Sequence, residues 1–340
     1  MKKKFVTLLL IILLVSCTPK PDSETVIDAN LIYTEVAETI LARLSQTVII
    51  PESATLTLTS VPTDTATITS TATLLPTITP TDVWTYNPPG KVEVQILLYN
   101  HISDDQEDNP YYQWESNVDI PSDTFRQQMA LLKETDYTTI PMSLLVLALT
   151  EGADLPSRPI AITFDANTQG IYRKAFPIMQ EFGFVGTIFI VANHLDGDGT
   201  LTTPEVKEMI AAGWEAGSKG LNGIDLIDNY EKLSEEISRS RLVLEEKLAT
   251  SVVIFSYPFG RMDGGIATRV ANWGYQAAVG LFKSYEHTLS TRYYLARYEI
   301  LNGWTIEEFS SILQWKPNQI PVSQPGAEPV LTISTETAVP

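Results

Sequence analysis

Three features of this 340-residue chain predict an α/β fold built on a parallel sheet, open or closed into a barrel. Between Lys91 and about Leu313, short apolar runs alternate with segments of helical periodicity, the pattern of successive βα units. One of those runs, Arg158-Pro159-Ile160-Ala161-Ile162-Thr163-Phe164-Asp165-Ala166-Asn167, is Pro-bounded and apolar, and reads as a buried strand that ends on a carboxylate. Ligands in parallel α/β sheets bind at the carboxyl ends of strands, which makes Asp165 the first candidate for a working residue. The third feature is a sharp change of composition: residues 51–89 are dominated by Thr, Pro and Ser, so the folded part is expected to start near Gly90.

Lys2-Lys3-Lys4 is a basic leader, and Phe5 to Val15 is an apolar core too short to span a bilayer comfortably. It closes on Leu14-Val15-Ser16-Cys17, which resembles the bacterial lipobox, where cleavage precedes an acylated cysteine. An ordinary secretory signal with an incidental cysteine is the alternative. Cys17 is the only cysteine of the chain, and its position favours a lipoprotein, anchored to a membrane by acyl chains and facing outside the cytoplasm. The expected organisation is a signal peptide over 1–16, an acylated N-terminus with a short amphipathic helix over 17–50, a linker over 51–89, one domain over 90–315, and a disordered tail over 316–340. Thr-rich tracts with Pro bury too little apolar surface to fold, and act as spacers or glycosylated stalks.

Within the domain, Val92 to Tyr99 is the expected first strand. Ser122 is an expected N-cap for a helix carrying Phe125, Met129 and Leu132 on one face. A second helix, Ser143 to Thr150, precedes the strand that ends at Asp165. Helix Tyr172 to Glu181 stops at Gly183, and strand Gly186 to Ala192 follows. Thr203-Pro204-Glu205 opens a helix to Ala212. Strand Glu215 to Ser218, helix Leu233 to Ala249 and strand Val252 to Tyr257 come next. Helix Asp263 to Trp273 and strands Ala277 to Leu281 and Leu295 to Ile300 lead to a last helix capped by Thr305. Asp196-Gly197-Asp198-Gly199 hints at a calcium loop, but the closing position is Lys207, so it reads as a surface turn. A net charge of −18 argues against nucleic acid and anionic lipid headgroups as partners. One cysteine excludes an internal disulfide and a thiolate metal site.

In order along the chain, Tyr99-Asn100-His101-Ile102, Ile162-Thr163-Phe164-Asp165, Gly186-Thr187-Ile188-Phe189-Ile190, Glu215-Ala216-Gly217-Ser218 and Phe255-Ser256-Tyr257-Pro258-Phe259-Gly260 resemble segments of one family. It is the polysaccharide deacetylases with the NodB-homology domain, carbohydrate esterase family four. The resemblance implies a distorted (β/α) barrel. It also implies removal of acetyl groups from polysaccharide by water activated on a divalent metal such as zinc, with an Asp as base. Asp165 stands at the base position. The resemblance puts the three metal ligands at Ala166, Lys219 and Gly223, none of which offers a lone pair. The expected cofactor is therefore none. Lys219 is expected to form an ion pair with Asp165, replacing the charge of a metal but not its Lewis acidity.

His101, Tyr257, Pro258 and Phe259 are candidate substrate-binding residues, with Tyr99 and Trp214 as further aromatic candidates for a sugar groove. Core packing is the competing account for each aromatic, and a hydrogen-bonded surface histidine for His101. The leading expectation is a surface-displayed, glycan-binding pseudoenzyme. A divergent hydrolase of carbon–nitrogen bonds using Asp165 and Lys219, and a structural surface lipoprotein, are the alternatives.

Overall fold

The computed structural model describes residues 83–110 and 116–315. The leader, Cys17, the 24–46 segment, most of the Thr/Pro-rich stretch and the tail lie outside the described residues. Among the described residues, no helix is long and apolar enough to cross a membrane.

The central sheet has eight strands, all parallel. Seven define its path: β1 (Gln95–Tyr99), β2 (Pro159–Phe164), β3 (Thr187–Ile190), β4 (Glu215–Ser218), β5 (Ile254–Ser256), β6 (Ala277–Val279) and β7 (Tyr298–Glu299). Their order is β6-β5-β4-β3-β2-β1-β7, with Thr138–Thr139 pairing to the start of β2. Leu295 forms a parallel bridge to Val279 in β6, and three residues on Tyr298 pairs with Leu97 in β1. The sheet thereby curls back on itself, giving the distorted barrel.

Among the described residues, seven α-helices accompany the strands: α1 (Ser122–Glu134), α2 (Met142–Thr150), α3 (Phe176–Phe182), α4 (Thr203–Ala211), α5 (Ser240–Leu248), α6 (Gly264–Asn272) and α7 (Ile306–Ile312). All six residues of β2 are buried, as expected for a strand covered on both faces. Side-chain alternation sorts the core into two layers. Ile96, Ala161, Phe189, Ile254, Ala277 and Val279 form an inner cluster with Leu145, Val146 and Leu149 of α2. Leu97, Ile162, Phe164, Ile188 and Phe255 pack outward against Phe125, Met129, Met179, Val206 and Leu244. Gly217 makes room for the inner layer: a Cβ there would meet the Phe189 ring at 2.5 Å.

Helix α2, apolar almost all round, closes the amino-terminal mouth. Its Met142 N–H donates to Thr187 Oγ1 at the start of β3, and its Ser143 N–H to Glu215 Oε2 at the start of β4.

Several boundaries differ from the sequence expectations. Ser122 is the first helical residue rather than the cap; its N–H and Oγ both bind the Asp104 carboxylate. The single strand expected over 92–99 breaks at Val94, because Lys91–Glu93 pairs antiparallel with Glu286–Thr288 while β1 joins the barrel. Regular structure is already present before Gly90, since Trp84–Asn87 pairs with Ala153–Pro156. The strand expected over 295–300 is reduced to β7 and the Leu295 bridge, because the segment divides its pairing between β6 and β1. Thr202, not Thr203, caps α4 in a capping box with Glu205, and Thr305 caps α7 in the same way. Asp196–Gly199 is a surface turn, with Asp196 bound to Thr203 and Lys247.

Candidate functional site

The inward set of β2 continues from Ala161 through Thr163 to Asp165, so the carboxylate enters the barrel at its carboxyl-terminal mouth. It is 5% exposed. Arg297, from the chain between the Leu295 bridge and β7, grips it with both ends of the guanidinium: Nη1 to Oδ1 at 2.5 Å and Nη2 to Oδ2 at 2.9 Å. Ser256, the last residue of β5, donates its hydroxyl to Oδ2 at 2.9 Å. Arg297 is itself 1% exposed and lies over the Phe189 ring, 5.4 Å from its centroid.

Each guanidinium hydrogen has an acceptor. Nε donates to Gly280 O at 3.0 Å. Nη1 also reaches Thr163 Oγ1 at 3.3 Å, and Nη2 reaches Ser256 Oγ at 3.1 Å. A buried pair is tolerated when its remaining hydrogen-bonding capacity is met in this way. Burial would raise the Asp165 carboxyl, but the Arg297 charge and then that of Lys219 outweigh it and hold the pKa at about 2. A carboxylate held this low is a weak acceptor for a substrate proton at neutral pH.

Lys219 stands just past the end of β4. Its Nζ donates to the main-chain oxygen of Asp165 at 2.8 Å and lies 3.5 Å from Oδ2. The ammonium thus sits beside the carboxylate, but as a second cation behind Arg297. Gly223 has φ +69°, and a Cβ there would meet Val191 Cγ2 at 2.9 Å, so the loop fits a residue without a side chain. The loop is held by Glu236, fully buried, whose carboxylate accepts from the N–H and the side-chain amide of Asn222.

A divalent metal, implied by the sequence resemblance, needs three donors around one point. The three positions carry a methyl group, an ammonium and a hydrogen, and both Asp165 oxygens are already engaged. Among the described residues no group of three or more His, Cys, Asp or Glu side chains is placed to hold a metal ion. The residues present do not fit the metal.

The proposed groove residues divide. Phe259 is 66% exposed and adopts φ +58°, an uncommon conformation for a bulky side chain, on the loop that follows Ser256. Tyr257 and Pro258 are buried, and the Tyr257 hydroxyl donates to Tyr293 O at 2.9 Å. Tyr99 and Trp214 are also core: Tyr99 binds Gln128, and Trp214 stacks on Phe164 with centroids 5.2 Å apart. His101 is 5% exposed, with Nδ1 3.2 Å from Thr168 Oγ1. His101, Tyr257, Pro258, Tyr99 and Trp214 are thus all enclosed by packing, as in the competing core account for the aromatics. Exposed Leu281 and Phe282, on the loop after β6, were not expected. Gly280, which accepts from Arg297, immediately precedes them, and Leu281 packs against Gly260 beside Phe259.

Arg297 escaped the sequence reading, although a signal existed. It is a lone cation in Leu295-Ala296-Arg297-Tyr298-Glu299-Ile300, a segment expected to be a strand, and a charge buried there requires a partner.

A curled parallel barrel with an aspartate at the carboxyl end of its second strand defines the domain as one of the NodB type. Residues 152–278 match the family model described as polysaccharide deacetylase. Similar proteins include YxkH of Bacillus subtilis, provisionally named a polysaccharide deacetylase. It is 24% identical over 188 residues, which cover 55% of this chain and 64% of that protein. The poly-beta-1,6-N-acetyl-D-glucosamine N-deacetylase of Staphylococcus aureus is 24% identical over 196 residues, covering 53% and 67%. The chain thus spans roughly two thirds or less of the length of these relatives. Among solved structures, the Streptococcus pyogenes deacetylase PplD in complex with acetate superposes with a TM-score of 0.58 at 20% identity. It covers 69% of this chain and all of that one, and shows the shared fold.

Proposed function

We propose that the protein is a glycan-binding member of the polysaccharide deacetylase family that no longer deacetylates by metal-activated water. The observation that carries this reading is the occupancy of Asp165. Both carboxylate oxygens are held by Arg297 and Ser256, while the positions that would supply metal ligands are Ala166, Lys219 and Gly223. Relatives named as deacetylases of poly-N-acetylglucosamine support a polysaccharide as the ligand class. Phe259 and Phe282, exposed on loops that leave the barrel beside Asp165, supply apolar faces on which pyranose rings stack. The leader and Cys17 support tethering to a membrane, with the Thr/Pro-rich stretch as a spacer that holds the domain away from it.

The test is incubation of the purified chain with N-acetylated chitooligosaccharides, with and without zinc, cobalt or nickel, followed by assay of acetate. No release above blank is expected, together with saturable binding that weakens in Phe259→Ala. Metal-stimulated release that disappears in Asp165→Asn would falsify the pseudoenzyme reading. Absence of both release and binding would leave a structural lipoprotein.

A further inference from the structure

Charge does not balance at the carboxyl-terminal mouth. Asp165 and Arg297 neutralise each other, and the five N–H donors of Arg297 are all used on protein acceptors. Lys219 adds a second positive charge to the same carboxylate, which leaves the cluster at +1, by the sum of Asp165 (−1), Arg297 (+1) and Lys219 (+1). Asp165 is the only acidic group within ion-pair distance of the ammonium among the described residues, and that carboxylate is already matched by Arg297. The Lys219 side chain is 19% exposed, so part of it reaches solvent. A surplus cation is unusual in a chain whose net charge is −18.

Near the end of the same strand as Asp165, a buried donor has no partner among the described residues. Asn167, two residues after Asp165, is 5% exposed, and among the described residues its Nδ2 has no acceptor. Buried amide donors are nearly always satisfied, so a donor left open at a strand end points to an acceptor brought by a ligand.

We infer that Lys219, assisted by Asn167, is a carboxylate-binding position, and that the glycan class this domain takes is acidic, carrying uronate-type sugars. The inference rests on the glycan-binding reading above and specifies its substrate class. A carboxylate seated on the ammonium restores neutrality in a largely desolvated mouth, where charge-assisted hydrogen bonds are strongest. Exposed Phe259 lies on the loop after Ser256, which touches the same Asp165, so a sugar ring stacked there belongs to the same mouth. No bond is made or broken in this role.

The experiment is calorimetric titration of the full chain with tetragalacturonate, neutral chitotetraose and sodium acetate. Tetragalacturonate is expected to bind about tenfold or more tighter than chitotetraose, with Lys219→Met losing about tenfold in affinity and Lys219→Arg keeping most of it. Circular dichroism of both variants checks that they fold. Acetate should compete weakly, since it offers the carboxylate without the ring. If the two oligosaccharides bind equally and Lys219→Met changes neither, the acidic-glycan inference is wrong while glycan binding stands. If acetate binds as tightly as tetragalacturonate, the position serves a free carboxylate and the sugar assignment is overturned. If no oligosaccharide binds the wild-type chain, both readings fall.

Discussion

The two mouths of the barrel each enclose an acidic side chain, and they treat it in opposite ways. At the carboxyl-terminal mouth Asp165 is fixed by a fully matched Arg297 and held at about 2. At the amino-terminal mouth Glu215 accepts from the Ser143 N–H, in the first turn of α2, and from Thr187 Oγ1. Among the described residues it has no cation partner, and burial pushes its carboxyl up from the ordinary value. Backbone dipoles can hold a carboxylate in place without repaying its loss of water, whereas a bidentate guanidinium overcompensates it. The carboxyl-terminal mouth has therefore received the stronger charge lock.

The comparison is broken most directly by Asp165→Asn. It leaves Arg297 buried without a counter-charge, and should cost about 3–5 kcal/mol in urea unfolding. Replacing the pair together, as Asp165→Leu with Arg297→Met, should recover much of that loss. Equal losses in the single and double variants would show that the two residues are not coupled. The acid limb of stability follows from the sign of the Asp165 shift. Its folded pKa lies below the ordinary 3.8, so its stabilising contribution is full above that value and is lost as pH falls toward about 2.

His287, near the amino-terminal mouth, gives the next largest effect. It is 1% exposed, hydrogen-bonded through Nε2 to Val94 O, and burial lowers its pKa from 6.5 to about 4. Between those values the unfolded chain binds the proton and the folded chain does not, so stability falls as pH drops from about 6.5 to 4. The full loss is on the order of 3 kcal/mol. His287→Gln should flatten that part of a stability–pH curve, and an unchanged slope would assign it to other groups.

At Gly223 the expected change is smaller. Gly223→Ala places a Cβ against Val191 with φ at +69°, and should lower stability by about 1–2 kcal/mol in thermal or urea unfolding. A neutral result would mean that the loop yields easily, and that a histidine could be rebuilt there. Smallest of all is Glu215→Gln. The ionised form is disfavoured in the folded chain, so the contribution of Glu215 is present below its ordinary 4.5 and declines as pH rises through the folded value. The variant should match or slightly exceed the wild type at neutral pH, by about 1 kcal/mol at most.

Much of the fold was legible because its signals are local. Apolar runs bounded by Pro and Gly marked the strands, and Thr305 and Asp263 marked helix starts that side-chain caps confirm. The candidate site was legible only in part. Asp165, Ala166, Lys219 and Gly223 sit within recognisable segments, all inside the matched residues 152–278. Arg297 lies outside that span, and its partner is 132 positions away, so no local pattern announces the pair. The aromatic candidates could not be told apart for the complementary reason. Tyr257 and Phe259 are two residues apart and look equally suited to stacking, yet one is fully buried and the other 66% exposed.

The sequence by itself determined the parallel α/β sheet, the position of Asp165 at a strand end, and the absence of donor atoms at the neighbouring positions. Those properties depend on periodicity and on side-chain chemistry, which are carried residue by residue. Tertiary structure alone decided that Arg297 rather than Lys219 is the principal counter-ion of Asp165, that Lys219 is left as a surplus charge, and which aromatic reaches solvent. Charge compensation and burial are properties of three-dimensional neighbourhoods, and closing the barrel between β6 and β1 is what brings residue 297 to residue 165.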